Sequence, residues 1–138
     1  MAGALDSAVF QNTEQGRRLS AANTNFAFDL YKRHASSSQQ NVFMSPLSIS
    51  VALAMTYVGA RGQTKSQMKD VLDLTDVEED HLHQAFTDIL SALNKPQQPY
   101  KLYMANRLFA DKSYTFLDEF LAAGRKHYAA ELAPVDFR

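Results

Sequence analysis

Residues 41–72, NVFMSPLSISVALAMTYVGARGQTKSQMKDVL, decide the fold of this chain because they contain two helices with their start and stop signals. Ser45 before Pro46 indicates a helix start, since serine caps free N–H groups and proline has none to leave unpaired. Gly59 predicts a left-handed C-cap. The intervening VALAMTYV is apolar on every face, so we expect a helix that is buried all round.

Three hydroxyl side chains lie among the apolar residues of this helix, namely Ser48, Ser50 and Thr56. A hydroxyl in a core costs stability unless it finds a hydrogen-bond partner. The simplest interpretation of Ser48 is therefore a hydroxyl bonded to a backbone carbonyl.

A helical pattern precedes this segment. Apolar residues recur at three- and four-residue steps from Leu19 to Tyr31. The polar run SSSQQ, residues 36–40, is interpreted as a loop, and residues 41–44 as a short β-prone segment. Residues 1 to 18 have few apolar groups among polar ones, so we expect a weakly ordered N-terminal extension there.

Two capping boxes predict the next helices, Thr64 with Gln67 and Thr75 with Glu78. The second box opens the clearest amphipathic helix of the chain, with acids and histidines opposite its apolar stripe. Pro96 ends this helix. The stripe consists of Leu82, Ala85, Phe86, Ile89, Leu90 and Leu93.

Two strands are predicted in the last third of the chain. Residues 100–110 are rich in aromatic and long apolar groups and indicate a strand inside a sheet. A helical pattern follows from Phe116 to Tyr128. Residues 130–137 indicate a second strand, at a sheet edge because Pro134 cannot donate to a ladder. Two strands do not make an independent covered sheet, so we expect the opening portion of a larger fold.

Composition excludes several classes of protein. The 138 residues are 46% hydrophobic and 21% charged, which is typical of a globular domain. The formal charge of −1 argues against a general nucleic-acid binder. Cysteine is absent, which removes disulfides and thiolate sites. No apolar run is long enough to span a membrane, and the N-terminus lacks the pattern of a signal peptide.

The titratable residues do not indicate a metal or catalytic site. His81 and His83 are two apart and so do not share a helix face, whereas His34 and His127 are isolated in sequence. We interpret all four as solvated histidines, with no metal and no cofactor. The acids of residues 78–80 lie in a predicted first helical turn, where the helix dipole explains them.

The motifs in their order along the chain resemble those of the serpins. The resemblance covers roughly residues 19–138 and depends on many spaced segments together. These segments are ANTNFAFDLY (22–31), NVFMSPLSIS (41–50), ALAMTYVGARGQTKSQM (52–68), LYMANRLFAD (102–111) and residues 130–137.

The resemblance implies an α+β serpin fold, with helices packed on a large sheet A. Residues 19–138 would be the N-terminal part of a single serpin domain, contributing its N-terminal helices and two strands of sheet A. A cut after Arg138, a truncation or a design would leave such a segment. The rest of the fold would be its partner.

The resemblance also implies a serine-type protease inhibitor, with cysteine proteases as a second target class. Such a protein is a suicide substrate, not an enzyme: the protease cleaves an exposed loop, which inserts into the main sheet. The reactive bond would lie outside these residues. The alternative is a non-inhibitory serpin that acts as a chaperone, carrier or scaffold. A third interpretation is that the segment acts alone as a folded binding module.

In serpins the buried helix runs beneath the part of the sheet that must open, called the shutter. The resemblance places Ser45 and Ser48 there. A plain N-cap explains Ser45 equally well, and both roles are compatible. Other positions that match the shutter or its surroundings are Asn41, Phe43, Pro46, Leu53, Gly59, Thr64 and Asn106.

The resemblance and the distribution of charge also bear on the partners and the cellular location of the protein. Some serpins bind heparin-like polyanions through the helix that corresponds to residues 77–94, but here that helix is acidic and has no Lys or Arg before Lys95. We therefore expect no polyanion site there, and no nucleic acid or membrane partner. The cluster of residues 125–127 is interpreted as a solvated helix end. The long N-terminal extension slightly favours a secreted protein whose signal has been removed, and a cytoplasmic location stays open.

Overall fold

The computed structural model describes residues 13–37, 40–96, 99 and 102–138. These residues form five helices and two strands, in agreement with the predicted α+β class. Helices α1 and α5 each pack on α2 and α4. The elements are α1 (Glu14–Ser37), α2 (Pro46–Gly59), α3 (Gly62–Val71), α4 (Glu79–Leu93), β1 (Leu108–Asp111), α5 (Asp118–Tyr128) and β2 (Leu132–Val135).

Helix α1 begins earlier than the sequence pattern predicts. Thr13 Oγ1 accepts a hydrogen bond from the N–H of Gly16 at 3.0 Å and caps the helix. Arg18 pairs with Glu14 and also donates to the carbonyl oxygen of Asp76 at 2.9 Å. Residues 14–18 are therefore helical rather than part of a weakly ordered extension. The prediction for residues 1–12 lies outside the described residues.

The end of α1 and the segment after it also differ from prediction. The helix continues through Ser36 and Ser37, whose hydroxyls both donate to the carbonyl of Arg33. Residues 41–44 are irregular rather than β, and the Phe43 side chain is fully exposed. A β-prone segment becomes a strand only when a neighbour pairs with its backbone. The sheet of the described residues contains β1 and β2 alone.

Helix α2 is buried on one side only, so the expectation of all-round burial is wrong for the described residues. Val51, Ala54, Met55 and Tyr57 are almost fully buried. By contrast, Ile49, Ala52 and Thr56 are exposed. These three follow the i, i+3, i+7 spacing of a single helix face. An apolar helix thus has one face open to solvent here.

Neither predicted capping box caps a helix. Helix α3 begins at Gly62 after Arg61, and α4 begins at Glu79 after Glu78; neither N-cap residue provides a side-chain bond. Gly62, the first residue of α3, has φ +56°, a left-handed conformation that glycine adopts without steric cost. Three apolar side chains of the turn before α4 are buried in the core, and the helix begins only after them. They are Leu72, Leu74 and Val77.

Strands β1 and β2 pair in parallel, with Leu108 opposite Leu132 and Ala110 opposite Pro134. Helix α5 connects them, as a parallel pair requires. Both strands are shorter than predicted: residues 102–107 are irregular, and Tyr100 lies outside the described residues. Pro134 in a two-stranded sheet is compatible with the predicted edge position.

The core lies where α1, α2, α4 and α5 meet. The predicted stripe of α4 is confirmed, with Phe86 0% exposed and Leu82 1% exposed. The Phe86 ring centroid lies 5.8 Å from that of Tyr128. Among the described residues, no helix is both long enough and apolar enough to cross a bilayer.

Candidate functional site

The start of α2 shows the predicted serine cap. Ser45 has an extended backbone (φ −110°, ψ 94°), and Pro46 is the first helical residue. Ser45 Oγ accepts a hydrogen bond from the N–H of Ser48 at 3.4 Å and donates to Ser48 Oγ at 2.9 Å. The hydroxyl partner of Ser48 is thus the Ser45 hydroxyl, where a backbone carbonyl was expected. Both side chains are linked across the first helical turn.

We predict that Ser45→Ala lowers the free energy of unfolding by roughly 0.5–2 kcal/mol, because it removes the N-cap acceptor. Ser45→Asn keeps an acceptor at the same place and serves as the matched control. The measurement is chemical denaturation of both variants. Equal losses for alanine and asparagine would contradict the capping role.

A groove lies beside this cap, between α1 and the start of α2. Phe28 and Tyr31 of α1 form one wall, and residues 44–47 form the other. Asn23 also lines the groove, and its Oδ1 is shielded from solvent without a hydrogen-bond partner among the described residues. The cap therefore borders a mostly apolar groove with one unpaired acceptor.

The candidate shutter residues do not form one cluster in this structure. A 14-residue helix is about 21 Å long, so Ser45 and Gly59 stand at opposite ends of α2. Thr64 is exposed on α3, as is Asn41 before α2. Leu53 is half-buried against the core. The structure brings together only Ser45, Pro46 and Ser48.

Gly59 is not the left-handed C-cap that its position suggests. It is the last residue of α2, and Ala60 follows with φ −70° and ψ 144°. A Cβ at Gly59 would lie 3.2 Å from the ring of Phe120. Glycine is therefore explained here by the close approach of α2 and α5, not by a positive φ.

Asn106 lies at a different cleft, between α4, the start of β1 and the end of α5. The cleft has a volume of about 480 Å³, and Asn106 is half-buried at its edge. It is lined by Thr87, Leu90, Ser91 and Asn94, by residues 104–106 and by residues 126–129.

A group of polar side chains that sequence reasoning missed borders this cleft. His83 Nδ1 lies 2.7 Å from the hydroxyl of Tyr128. Thr87 Oγ1 lies 3.1 Å from Nδ1 of His127, and its single hydroxyl hydrogen is shared between the carbonyl oxygens of His83 at 3.0 Å and His127 at 3.2 Å. The two imidazole centroids are 5.8 Å apart. His83 and His127 are thus partly buried and in contact with each other, which corrects the interpretation of both as solvated histidines.

Burial and neighbouring charges shift the pKa values of His83, His127 and Tyr128. Burial, then His127 and Lys65, hold the pKa of His83 below its ordinary value, although Glu79 acts in the opposite direction. Burial and Lys126 lower the pKa of His127. Burial raises the pKa of the Tyr128 hydroxyl, which therefore stays protonated near neutral pH.

A second polar group joins α2, α3 and α4. The Tyr57 hydroxyl donates to Glu79 at 2.8 Å, and Lys65 pairs with the same carboxylate at 2.6 Å. The Lys65 ammonium also lies 5.2 Å from the centroid of the Tyr57 ring. Burial opposes ionisation of Glu79, but the bonds from Lys65 and Tyr57 outweigh it and lower the pKa of Glu79. Glu79 therefore does more than meet the helix dipole.

The titratable groups of the described residues are not arranged for metal binding: no group of three or more potential ligands is found among them. The polar contacts join helices to one another. The arrangement of these contacts supports a structural or mechanical role for the residues that form them.

Comparison with known proteins identifies the family. The model of the family described as Serpin (serine protease inhibitor) matches residues 21–138. The leukocyte elastase inhibitor of Equus caballus is 48% identical over 122 residues, which is 88% of this chain and 32% of that protein. The corresponding protein of Bos taurus is 50% identical over 121 residues, 87% of this chain and 31% of that protein.

A solved structure shows the same fold. Ovalbumin from emu superimposes with a TM-score of 0.79 and 33% identity, over 86% of this chain and 34% of that chain. This chain thus spans about a third of the length of the relatives it matches. The order of helices and strands agrees with the N-terminal portion of that fold. The chain belongs to the serpin family.

Proposed function

We propose that the protein inhibits serine proteases, with elastase as the first target to test. The observation that carries this proposal is the identity of 48% and 50% to proteins named leukocyte elastase inhibitor. Because the chain spans only about a third of those proteins, the activity is a property of the whole molecule. An inhibitor of this kind reacts once and has no catalytic turnover.

The proposed mechanism is the suicide reaction of the family. The protease serine attacks the carbonyl carbon of a reactive-loop peptide bond, the amine leaves with a proton, and an acyl-enzyme remains. The loop then inserts into the main sheet as a new strand. The exposed face of α2, with Ile49, Ala52 and Thr56, supports this proposal because a sheet that slides over a helix needs such a face.

Within this mechanism, Ser45 and Ser48 would fix the start of α2 under the opening sheet. Their hydroxyls bond to each other at 2.9 Å and to the helix N-terminus, so the first turn has a defined geometry. The other candidate positions lie farther away. Asn106 and Gly59 would contribute at the cleft and at the contact of α2 with α5, respectively.

The proposed partners are a serine protease and the rest of the serpin polypeptide. Cysteine proteases form a second target class. The surface of α4 disfavours a heparin-like polyanion, because Glu78, Asp80 and Asp88 are exposed on or beside this helix. Negative charge there repels a polyanion at distances up to about a Debye length.

Titration of elastase with the full-length protein tests the inhibitory proposal. Residual protease activity should fall linearly and reach zero at a fixed molar ratio near one. As a control, the protein is first incubated with protease whose active site is irreversibly blocked; the molar ratio needed to inhibit active elastase afterwards should not change. Full residual activity with elastase, trypsin and a papain-type cysteine protease would favour the non-inhibitory alternative.

A further inference from the structure

The contact between α4 and α5 contains two histidines that face each other in a partly buried site. His83 comes from the middle of α4 and His127 from the last turn of α5. Their ring centroids are 5.8 Å apart, and the His83 ring also lies 5.9 Å from that of Tyr128. Two imidazolium charges at this separation repel each other, and partial burial reduces the screening by water.

The hydrogen bond between His83 and Tyr128 suits a neutral His83 imidazole in one of its two tautomers. With its hydrogen on Nε2, His83 accepts at Nδ1 the hydroxyl hydrogen of Tyr128 at 2.7 Å. Protonation of His83 turns Nδ1 into a donor. The Tyr128 hydroxyl must then rotate, and its hydrogen needs a new partner although the residue is only 3% exposed. Losing a partner in a buried site is costly.

The surrounding charges do not compensate for two positive imidazoles. Lys65 of α3 and Lys126 of α5 oppose protonation, while Glu79 of α4 favours it at His83. The Glu79 carboxylate, however, already binds Lys65 and Tyr57. Tyr57 of α2 contributes its uncharged ring, whose centroid is 6.3 Å from His83.

We propose that His83 and His127 form an acid-sensitive contact that holds α5 on α4 at neutral pH and loosens it on acidification. Helix α5 is the connection between β1 and β2, and His127 lines the cleft at the start of β1. Loosening this contact would therefore free the connection between two paired strands. This proposal does not depend on protease inhibition.

The direction of the pH effect follows from proton linkage. Both histidines titrate below their ordinary value in the folded protein, so the unfolded chain binds more protons. Stability is therefore lost as the pH falls through the ordinary value of about 6.5. For each histidine the unfolding constant rises by up to about tenfold per pH unit, until the pH reaches the folded pKa.

The test compares the full-length protein with His127→Gln and His83→Gln. Histidine NMR titration should show the His83 midpoint moving up toward 6.5 in His127→Gln. The His127 midpoint, which burial and Lys126 hold low, should move less in His83→Gln. The fall in Tm between about pH 7.5 and pH 5.5 should shrink in both variants. Hydrogen-exchange protection of α5 amides should decrease with acidification in the wild type and decrease less in the two site variants.

His34→Gln is the matched control, since His34 is exposed on α1. It should change neither midpoint and should leave the pH dependence of Tm as in the wild type. Two results would overturn the proposal: an unchanged His83 midpoint in His127→Gln, or a pH dependence of Tm in the two site variants that equals that of His34→Gln.

Discussion

Replacing Phe86 by alanine is expected to lower the free energy of unfolding by about 3–5 kcal/mol. The Phe86 ring is 0% exposed and lies beside Tyr128, at the meeting point of α4 and α5. Truncation removes the apolar contacts and leaves a cavity, because a close-packed core relaxes only partly. Denaturant unfolding of the full-length variant, followed by circular dichroism, measures this loss.

Tyr114→Ala is the control for this experiment. Tyr114 is 71% exposed in the turn after β1, and its truncation should change stability by about 0.5 kcal/mol or less. A loss below about 1 kcal/mol for Phe86→Ala would contradict the position of α4 in the core, since such a loss is typical of surface sites.

Ser48→Phe is expected to cost roughly 1–3 kcal/mol through overpacking. Ser48 is half-buried and its hydroxyl bonds to the cap serine Ser45. A phenyl ring at this position cannot form the hydrogen bond. It is also larger than serine, so it must displace the neighbouring side chains that pack on the first turn of α2. If the shutter assignment is correct, the full-length variant should also open prematurely and polymerise on mild heating.

Ser66→Phe is the matched control, because Ser66 is exposed on α3. Native gels and size-exclusion chromatography after incubation compare the two variants. Ser48→Phe should lose monomer faster than both Ser66→Phe and the wild type. If Ser48→Phe stays monomeric with an unchanged Tm, Ser48 has no shutter role.

The sequence predicted well the features that depend on local signals. Ser45 before Pro46 placed the start of α2 correctly, since a cap and a proline act within one turn. The apolar stripe of α4 predicted its buried face, because recurrence at three- and four-residue steps is a property of the helix itself. The two strands were also predicted, although with longer bounds than the structure shows and without their parallel orientation.

The sequence-based predictions were wrong where contacts between residues distant in sequence determine the local structure. Gly59 accommodates the ring of Phe120, which is distant in sequence, so a local rule for helix ends misread it. The turn before α4 follows the burial of Leu74 and Val77 rather than the capping box. His83 and His127 meet only because α4 and α5 pack together. A histidine and a threonine four residues apart, His83 and Thr87, were the only local signal of this site.

The candidate site illustrates the same division. Local pattern sufficed for Ser45 and Ser48, whose contact lies within one helical turn. The resemblance grouped Asn106 and Gly59 with them, yet these two lie at separate clefts in the described part of the chain. Because this chain spans only about a third of the length of its relatives, the grouping of these positions stays a prediction for the full-length protein.

The inhibitory function is tested most directly by mixing the full-length protein with elastase and separating the products on a denaturing gel. We expect a band at the summed mass that survives denaturation, because an acyl-enzyme is covalent. Elastase whose catalytic serine is replaced by alanine should give no such band. Complete loop cleavage without a covalent complex, together with a Tm that cleavage does not raise, would contradict the proposed mechanism.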